Sequence, residues 1–281
     1  MSDLPLDLDD VIRRALAEDI GPGGDVTSKA VLGADQLAAA RLEARAAGVI
    51  AGLPVADRVF QAADASTSFR PRVDEGDLVR AGATVADVHG KARAILSAER
   101  VALNFLTHLS GIATLTRGFV DACRGTESVI LCTRKTLPGL RSLERYAVTV
   151  GGGRLHRFGL SDGVLVKDNH VALAGGVEKA TARAKENAPH TARVEVEVET
   201  IEQLERAVDA GADAILLDNA DVETVARAVE VVGGRIPLEV SGGMTIEKVR
   251  AIAGLGGLLI SVGRITHSAP ALDISLETEP A

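Results

Sequence analysis

Basic side chains are concentrated in one segment of this 281-residue chain, from Cys132 to His170. The segment holds seven lysine or arginine residues and three acids, although the whole chain carries a formal charge of −8. A cationic cluster in an acidic chain points to a small, strongly anionic ligand, because a polyanion such as DNA is usually bound by a basic face over a whole domain. An aromatic content of 2% also argues against nucleic-acid binding by base stacking.

Polar, charged or glycine residues stand at the ends of six short apolar runs that are predicted to be β-strands. The runs cover residues 129–133, 163–168, 193–199, 213–218, 237–242 and 257–263. Their end residues are Thr133, Arg134 and Lys135; Lys167 and Asp168; Glu197 and Glu199; Asp218; Ser241, Gly242 and Gly243; and Gly263. The carboxyl ends of strands in a β/α barrel face one mouth, so we expect these groups to converge there.

The charges at these strand ends are sorted by type, which indicates the ligands. Arginines such as Arg134 and Arg157 suit carboxylates, since a guanidinium meets a carboxylate in a two-point fork. The acids Glu197 and Asp218 can bind ribose hydroxyls, or Mg²⁺ through water. Glycine turns that lead into helix N-termini can hold a phosphate with backbone N–H groups. The sequence therefore predicts two ligands, a sugar phosphate and a carboxylated partner.

The elements that must position these groups fall into two parts. An amphipathic helix at 8–19 is followed by β-like runs near 37–45, 48–52, 67–73 and 84–89, and then by a helix predicted to begin at Ser97 as its N-cap. From residue 129 strands alternate with helices of about fifteen residues, which indicates a parallel α/β architecture. Six strands instead of eight predict an irregular, incomplete parallel α/β barrel. A doubly wound sheet is the alternative, but no G-x-G-x-x-G follows any of these strands.

Composition predicts a cytoplasmic protein that binds neither membranes nor nucleic acid. Cys123 and Cys132 are the two cysteines, and they have neither metal-ligand spacing nor the pattern of a disulfide framework. The first ten residues are acidic and lack the apolar core of a signal peptide. The longest strongly apolar stretch, around 254–263, is far too short to span a bilayer.

Eight stretches of this chain, in order and over nearly its whole length, resemble the quinolinate phosphoribosyltransferase family. They are EDIGPGGDVTS (18–28), ERVALNFLTHLSGIAT (99–114), TRKTLPGLRSLERYAV (133–148), GGGRLHRFGLSDGVLVKDNH (151–170), VEVEVET (194–200), ILLDN (215–219), EVSGGM (239–244) and SVGRITHSAPALDISL (261–276).

The resemblance implies a fold, an activity and an assembly. The fold would be an open-faced α/β sandwich over residues 1–111 and an irregular α/β barrel over 112–269, with the tail 270–281 packing back on the sandwich. The activity would be transfer of phosphoribose from phosphoribosyl pyrophosphate (PRPP) to quinolinate, with Mg²⁺ required and nicotinate mononucleotide, pyrophosphate and CO₂ as products. The family works as a homodimer with shared active sites, and a hexamer is an open alternative.

The resemblance also implies roles for individual residues. Those expected around the dicarboxylate are Thr133, Arg134, Lys135, His156, Arg157 and Lys167, with Arg100 contributed by the partner subunit. Glu197 and Asp218 would hold the ribose hydroxyls and, through water, the metal. The 5′-phosphate would lie against Ser241, Gly242, Gly243, Ser261, Val262 and Gly263. Lys135, Lys167, Glu197 and Asp218 are the expected catalytic residues.

One departure from the family pattern keeps a related function open. Arg264 stands in SVGRIT where the family commonly has a small residue. A branch of this scaffold associated with molybdenum metabolism has altered substrate residues, and it is the alternative assignment. Two functions from other classes are an aldolase-type barrel with Lys167 as a Schiff-base lysine, and a non-catalytic phosphate-binding scaffold. His89, His108 and His190 have no cationic or acidic constellation around them in the sequence and receive no role.

Overall fold

The computed structural model describes residues 4–280, excluding the side chains of 279 and 280. Residues 1–3 and 281, the outer ends of the predicted first domain and of its returning tail, lie outside the described residues. The helices are α1 (Leu8–Ile20), α2 (Val26–Val31), α3 (Leu53–Ala63), α4 (Ala92–Ala122), α5 (Arg141–Val150), α6 (Asp168–Ala174), α7 (Val177–Asn187), α8 (Ile201–Asp209), α9 (Val222–Val232), α10 (Ile246–Ile252) and α11 (Arg264–His267). The strands are β1 (Leu37–Ala44), β2 (Gly48–Val49), β3 (Ser68–Pro71), β4 (Leu78–Val79), β5 (Thr84–Lys91), β6 (Val129–Leu131), β7 (Val164–Val166), β8 (Val194–Val198), β9 (Ala214–Asp218), β10 (Leu238–Ser241), β11 (Leu259–Ser261) and β12 (Ile274–Pro280).

The chain folds as two compact units. The first comprises residues 4–117, 136–152 and 265–280, and the second comprises 118–135 and 153–264. The domain boundary predicted between 111 and 112 therefore lies inside α4, and the segment 136–152 belongs to the first unit. The six parallel strands are all in the second unit.

An antiparallel sheet with the order β12-β1-β5-β3 forms the centre of the first unit. Alternate residues of β1 are buried, namely Ala40, Leu42 and Ala44, so one face of the strand is apolar. Helices α1 and α3 pack against each other, and the ring of Phe60 in α3 stacks on Phe69 in β3 at 6.1 Å. Helices layered on an antiparallel sheet confirm the α/β class predicted for this part of the chain.

The long helix α4 begins five residues earlier than the sequence predicted, so the assignment of Ser97 as its N-cap is wrong. Strand β5 runs directly into the helix, and Ala92–Leu96 consists of residues that a helix accepts. The Ser97 hydroxyl donates instead to the carbonyl of Arg93, four residues back in the same helix. Arg100 is therefore in the third turn, where the helix dipole no longer disfavours a cation. Within residues 4–280, no helix combines the length and the apolar character that crossing a membrane requires.

Six parallel strands in the order β6-β11-β10-β9-β8-β7 form the second unit. Strands β7 to β11 are neighbours in chain order, and β6 pairs with β11, so the sheet is open between β6 and β7. This confirms the predicted incomplete parallel barrel, with every predicted strand present. The doubly wound alternative is wrong, because its sheet would extend in both directions from a central strand.

Capping residues begin the helices that follow three of these strands. Thr200 accepts from the Gln203 N–H at the start of α8, Asp221 from Thr224 at α9, and Thr245 from Lys248 at α10. Each cap satisfies a backbone N–H of the first helical turn. The strand ends are thereby fixed close to the start of the next helix, at one edge of the sheet.

Candidate active site

Except for His156 and Arg157, the predicted site residues that lie in the second unit occupy the carboxyl ends of its six parallel strands or the loops just after them. Thr133, Arg134 and Lys135 follow β6, and His156 and Arg157 lie in the loop before β7. Lys167 directly precedes α6, while Glu197 is in β8 and Asp218 ends β9. Ser241 and Ser261 end β10 and β11, and Gly242, Gly243, Val262 and Gly263 follow them. Carboxyl ends of parallel strands lie at one edge, so the sheet brings these residues to a common side.

Lys167 and Glu197 form an ion pair across two neighbouring strands. The Lys167 Nζ lies 2.9 Å from Glu197 Oε2, with side chains 45% and 13% exposed. The Lys167 amide donates to Nδ1 of His170 at 2.9 Å, which fixes the loop at the start of α6. Lys167 is therefore held as a charged group beside a carboxylate, a poor arrangement for a Schiff-base nucleophile.

Both carboxylate oxygens of Asp218 are oriented by neighbouring side chains. The Ser241 hydroxyl donates to Oδ1 of Asp218 at 2.6 Å, and the side-chain Nδ2 of Asn219 donates to Oδ2 at 2.7 Å. Asn219 has a φ of 55°, which makes it the one non-glycine residue with positive φ among those described. Such a backbone conformation is uncommon outside glycine and is often found at functional sites. Asn219 was not singled out from the sequence.

The glycine turn after β10 packs against that same strand end. Gly242 and Gly243 have φ values of 92° and 56°. A Cβ added to Gly242 would lie 2.2 Å from Asn219 Oδ1 and 2.6 Å from the Asn219 backbone nitrogen. Glycine is therefore required at 242 both by conformation and by space. The Gly242 carbonyl accepts from Lys248 Nζ at 3.1 Å, which adds a cation beside the turn.

Two arginines of the basic segment repel each other electrostatically. Burial lowers the pKa of the Arg157 guanidinium from its ordinary value, and the positive charge of Arg134 lowers it further, against the opposing effects of Glu195 and Asp162. Arg157 Nη1 donates to the Gly163 carbonyl at 2.9 Å. An anion between the two guanidiniums would relieve their repulsion, so this pair has the charge of a carboxylate-binding site.

His156 lies between two carboxylates that the sequence analysis missed, the buried Glu239 and the partly exposed Glu195. Its Nε2 is 3.3 Å from Glu195 Oε2 and 3.3 Å from Glu239 Oε2. Hydrogen bonds to Glu195 and Glu239 raise the pKa of His156 above its ordinary value. The Arg157 amide opposes this rise, because it donates to Nδ1 at 2.7 Å and needs an unprotonated nitrogen there. These contacts favour a proton on Nε2 and an acceptor at Nδ1.

The two residues predicted to hold a metal are carboxylates, which are suitable ligands for Mg²⁺. Their oxygens already accept hydrogen bonds, from Lys167 in the case of Glu197 and from Ser241 and Asn219 in the case of Asp218. Each carboxylate keeps lone pairs that these hydrogen bonds do not use, so both residues could still bind a cation, directly or through water. Among the described residues, His156, Glu195 and Glu239 also lie within 4.8 Å of one another, close enough to surround a cation.

Arg100 and Arg264 are exposed side chains at positions that the sequence analysis singled out. Arg100 belongs to the first unit, where its side chain is 62% exposed on α4 and its Nη2 lies 3.9 Å from Glu99 Oε1. Arg264 begins α11, and its charge contributes to lowering the pKa of Glu247, after larger contributions from the Glu247 backbone, Thr245 and Arg250.

Comparison with known proteins agrees with this architecture. Residues 25–110 match the model of the quinolinate phosphoribosyl transferase N-terminal domain, and residues 112–277 match that of the C-terminal domain. A probable nicotinate-nucleotide pyrophosphorylase [carboxylating] from Bacillus subtilis is 43% identical over 97% of this chain and 93% of its own length. The nicotinate-nucleotide pyrophosphorylase [carboxylating] of Mycobacterium leprae is 44% identical over 95% of this chain and 96% of its own.

A solved structure gives the same result in three dimensions. The crystal structure of NadC from Streptococcus pyogenes superposes with a TM-score of 0.95 at 41% identity, covering 100% of both chains. Three findings therefore agree on the family. Both domain models match in sequence order, two relatives are more than 40% identical, and a solved structure matches over the full length. The chain belongs to the quinolinate phosphoribosyltransferase family.

Proposed function

We propose that this protein transfers phosphoribose from PRPP to the ring nitrogen of quinolinate, with loss of CO₂, to give nicotinate mononucleotide and pyrophosphate for NAD biosynthesis. The observation that carries the proposal is the sorted charge at one sheet edge. Arg134 and Arg157 repel each other on one side of the site. Oriented carboxylates and a glycine turn follow on the next strands. A dicarboxylate and a sugar phosphate need those two kinds of surface together.

Quinolinate would be bound by the basic residues. Arg134 and Arg157 are suited to its carboxylates, and Lys135 follows Arg134 in a turn in which its amide donates to Thr133 Oγ1 at 3.1 Å. Lys167, beside Glu197, would face the same ligand. Two carboxylates between these cations would offset the repulsion between the guanidiniums.

The phosphoribosyl group would be bound by the acids and glycines. Glu197 and Asp218 would accept hydrogen bonds from the ribose hydroxyls. The turn at Ser241, Gly242 and Gly243, together with Ser261, Val262 and Gly263, would hold the 5′-phosphate through backbone N–H groups. The close packing of Gly242 on Asn219 supports this role, since it leaves the turn little freedom.

The chemistry then follows from charge. Departure of pyrophosphate leaves an oxocarbenium-like ribose, and nearby carboxylates such as Glu197 and Asp218 stabilise that positive charge, as they do in glycoside cleavage. Lys135 and Lys167 offset negative charge on the reacting groups. After the ring nitrogen is alkylated, the pyridinium withdraws electrons and the adjacent carboxylate leaves as CO₂. The electron pair left on that ring carbon then takes up a proton from water. The protein positions and neutralises its ligands without forming a covalent intermediate.

Mg²⁺ belongs to the same proposal. When bound, it would neutralise charge on the leaving pyrophosphate. Glu197 and Asp218 would hold it through water, in keeping with the hydrogen bonds that their oxygens already accept. We also propose a cytoplasmic location, in keeping with two buried cysteines that form no disulfide.

The central experiment is an assay with PRPP, Mg²⁺ and either quinolinate or nicotinate, following nucleotide and CO₂. We expect one CO₂ per nucleotide with quinolinate. Activity with nicotinate but not with quinolinate would contradict the proposal.

Arg134→Ala and Arg157→Ala should weaken quinolinate binding roughly tenfold to a hundredfold, because each removes a charged hydrogen-bond donor, and should change PRPP binding far less. Arg227→Ala, which removes an exposed arginine from α9, is the matched control.

A homodimer with shared active sites is the proposed assembly, with Arg100 completing the site of the partner subunit; a hexamer would be built from such dimers. The exposure of Arg100 on α4 supports this role. Mixing inactive Arg100→Ala and Lys167→Ala subunits should then restore part of the activity, since one site in each mixed dimer has both residues. Verified mixed dimers without any recovery would exclude sharing of these residues.

The alternative in molybdenum metabolism depends on Arg264. An exposed extra cation at the start of α11 follows Gly263 of the proposed phosphate site directly. If Arg264→Ala raised activity on quinolinate, the result would indicate that Arg264 favours a different substrate and would support this alternative. The non-catalytic alternative predicts PRPP binding without turnover on any pyridine carboxylate.

A further inference from the structure

We propose that His108 and Glu144 are positioning residues for Lys135: they hold the turn that follows it in the chain and thereby fix where its ammonium group lies. The inference deepens the proposed function and rests on it, because Lys135 is there a catalytic residue of phosphoribosyl transfer. It gives a role to His108, to which the sequence analysis assigned none, and to a buried acid of α5.

The chain leaves the second unit directly after Lys135. Residues up to Lys135 belong to the second unit, and Thr136–Gly152 belongs to the first. On the upstream side, the Lys135 amide donates to Thr133 Oγ1 at 3.1 Å, two residues beyond the end of β6. Thr133 and Arg134 are therefore close in sequence to a paired strand, whereas Lys135 is joined on its other side to a segment that the first unit must hold.

Helix α5 binds both of the residues that follow Lys135. Arg141 Nε donates to Thr136 Oγ1 at 3.0 Å, and Glu144 Oε2 accepts from the Leu137 amide at 3.2 Å. Arg141 and Glu144 are three residues apart in α5, so their side chains share one face of the helix. The chain after Lys135 is thus attached to α5 twice, once through a side chain and once through the backbone.

Glu144 also holds both ends of the turn between Lys135 and α5. The Leu140 amide donates to the Leu137 carbonyl at 3.1 Å, and Gly139 has a φ of 80°. A proline followed by a glycine with positive φ is typical of a type II turn. The Glu144 amide donates to the Leu140 carbonyl at 2.9 Å, while the Glu144 carboxylate accepts from the amide of Leu137. One residue of α5 therefore fixes the first and the last residue of the turn.

His108 orients the carboxylate that holds this turn. The Glu144 side chain is 0% exposed, and a buried carboxylate is tolerated only when it is paired or hydrogen-bonded. His108 Nε2 donates to Oε1 at 3.0 Å, while Oε2 accepts from Leu137. Without the imidazole, Oε1 would lose this donor inside the protein. The carboxylate would then have to turn or admit water, and its hydrogen bond to Leu137 would weaken.

The position of Lys135 matters because its ammonium group acts as a point charge. The attraction between this charge and the reacting groups depends on distance, and a displacement of about 1 Å can reduce catalysis a hundredfold. The residues proposed for the phosphoribosyl group belong to other strand ends, those of β8 to β11. Loss of the anchor should therefore affect the step in which Lys135 takes part far more than the binding of PRPP.

The test is the substitution His108→Ala, with kcat, KM for quinolinate and the dissociation constant of PRPP measured for each variant. We expect kcat/KM for quinolinate to fall about tenfold, because a small misplacement of a catalytic group is costly, and PRPP binding to change less than about twofold. In a Lys135→Ala background the same substitution should have less than about a twofold further effect. Losses that multiply, or an equal loss of PRPP affinity, would overturn the proposal.

Two further variants separate positioning from a general loss of structure. His108→Gln places an amide N–H donor near the position of Nε2 and should recover most of the activity that His108→Ala loses; no recovery would contradict a role through Glu144. His89→Ala removes an exposed histidine from β5 of the same unit and is the matched control, with unchanged kcat/KM expected. Thermal unfolding of each variant shows whether it is folded.

Hydrogen exchange at the Leu137 amide, followed by NMR, keeps this inference distinct from the proposed function. We expect the amide to exchange about tenfold faster in His108→Ala than in the wild type, since its acceptor is held less firmly. The Gly52 amide, which donates to Glu75 at 2.9 Å in the same unit, should change much less. An unchanged rate at Leu137, or an equal rise at both amides, would overturn the positioning role. A wild type that binds PRPP but does not convert quinolinate would contradict the proposed function, and the exchange rates would still decide whether His108 holds the turn.

Discussion

Replacement of Gly242 by alanine should damage the protein far more than the same change at Gly243. Both residues have positive φ, 92° and 56°, so each alanine carries a conformational penalty of about 1–2 kcal/mol. A Cβ at Gly243 would meet nothing within 4 Å. A Cβ at Gly242 would lie 2.6 Å from the Asn219 backbone nitrogen, which itself donates to the Ser241 carbonyl at 3.0 Å. The overlap can therefore be relieved only by a shift of backbone, at the end of β9 or in the turn after β10.

Overpacking of this kind costs about 1–3 kcal/mol beyond the conformational penalty. We expect Gly242→Ala to lower the free energy of unfolding by roughly 2–5 kcal/mol and Gly243→Ala by roughly 1–2 kcal/mol. Urea denaturation measures both values. Because Asp218 directly precedes Asn219, a shift of this strand end misplaces the carboxylate proposed to hold ribose.

Steady-state kinetics should show the same difference between the two variants. A displacement of about 1 Å can reduce catalysis a hundredfold, so kcat/KM for PRPP should fall about that much in Gly242→Ala and less than tenfold in Gly243→Ala. Equal losses of stability and activity in the two variants would refute the reasoning, since they would show that conformation alone, and not contact with Asn219, requires glycine at 242.

Three further predictions concern other contacts. Asn219→Gly relieves the strain of the positive φ but removes the 2.7 Å hydrogen bond from the Asn219 side chain to Asp218. We therefore expect kcat/KM to fall about tenfold and the free energy of unfolding to change by less than about 1 kcal/mol. A large fall in the free energy of unfolding would contradict this. Burial and the hydrogen bond to Glu75 raise the pKa of Tyr146, the one tyrosine in the chain, so its phenol should stay protonated above pH 10 when absorbance at 295 nm is followed. The folded state keeps a proton that the unfolded phenol loses, so the free energy of unfolding should fall as pH rises above about 10; Tyr146→Phe should lack this component. Fully buried Glu144 accepts hydrogen bonds from His108 Nε2 at 3.0 Å and from the Leu137 backbone amide at 3.2 Å. In urea denaturation, Glu144→Ala should lower the free energy of unfolding by about 2–3 kcal/mol, and Glu144→Gln should lower it clearly less. Equal losses in the two variants would show that these hydrogen bonds contribute little.

The fold of the second unit was predictable because the sequence pattern that specifies it, short apolar strands alternating with helices, is local. Short apolar strands separated by helices of similar length specify a parallel sheet, and all six predicted strands are present. The start of α4 was not predictable in the same way. Ser97 is a common capping residue, but its hydroxyl can equally bond to the carbonyl four residues back inside a helix. Whether Ser97 caps the helix or lies inside it depends on where the chain leaves β5 and turns into α4. No local sequence pattern specifies that point.

Contacts between distant residues account for most of what the sequence did not reveal. His108 received no role because no charged residue stands near it in the chain, yet Glu144, thirty-six residues further on, contacts its ring at 3.0 Å. The left-handed backbone of Asn219 likewise depends on the turn after the neighbouring strand, since Gly242 provides the space that its side chain occupies. Such pairs are defined only once strands and helices have been packed together.

Glu195 and Glu239 differ from these cases, because the sequence did contain a signal for them. Buried parallel strands are usually apolar throughout, so acids at alternate positions of V-E-V-E-V must share one face and need partners there. Glu197 is nearer the carboxyl end of β8 and pairs with Lys167, whereas Glu195 lies two residues, or about 6–7 Å, deeper and pairs with His156. The same spacing separates Glu239 from Ser241 in β10. Depth along a strand therefore divides the acids of this barrel: Glu197, near the end of its strand, pairs with Lys167, whereas Glu195 and Glu239, one step inside, both face His156.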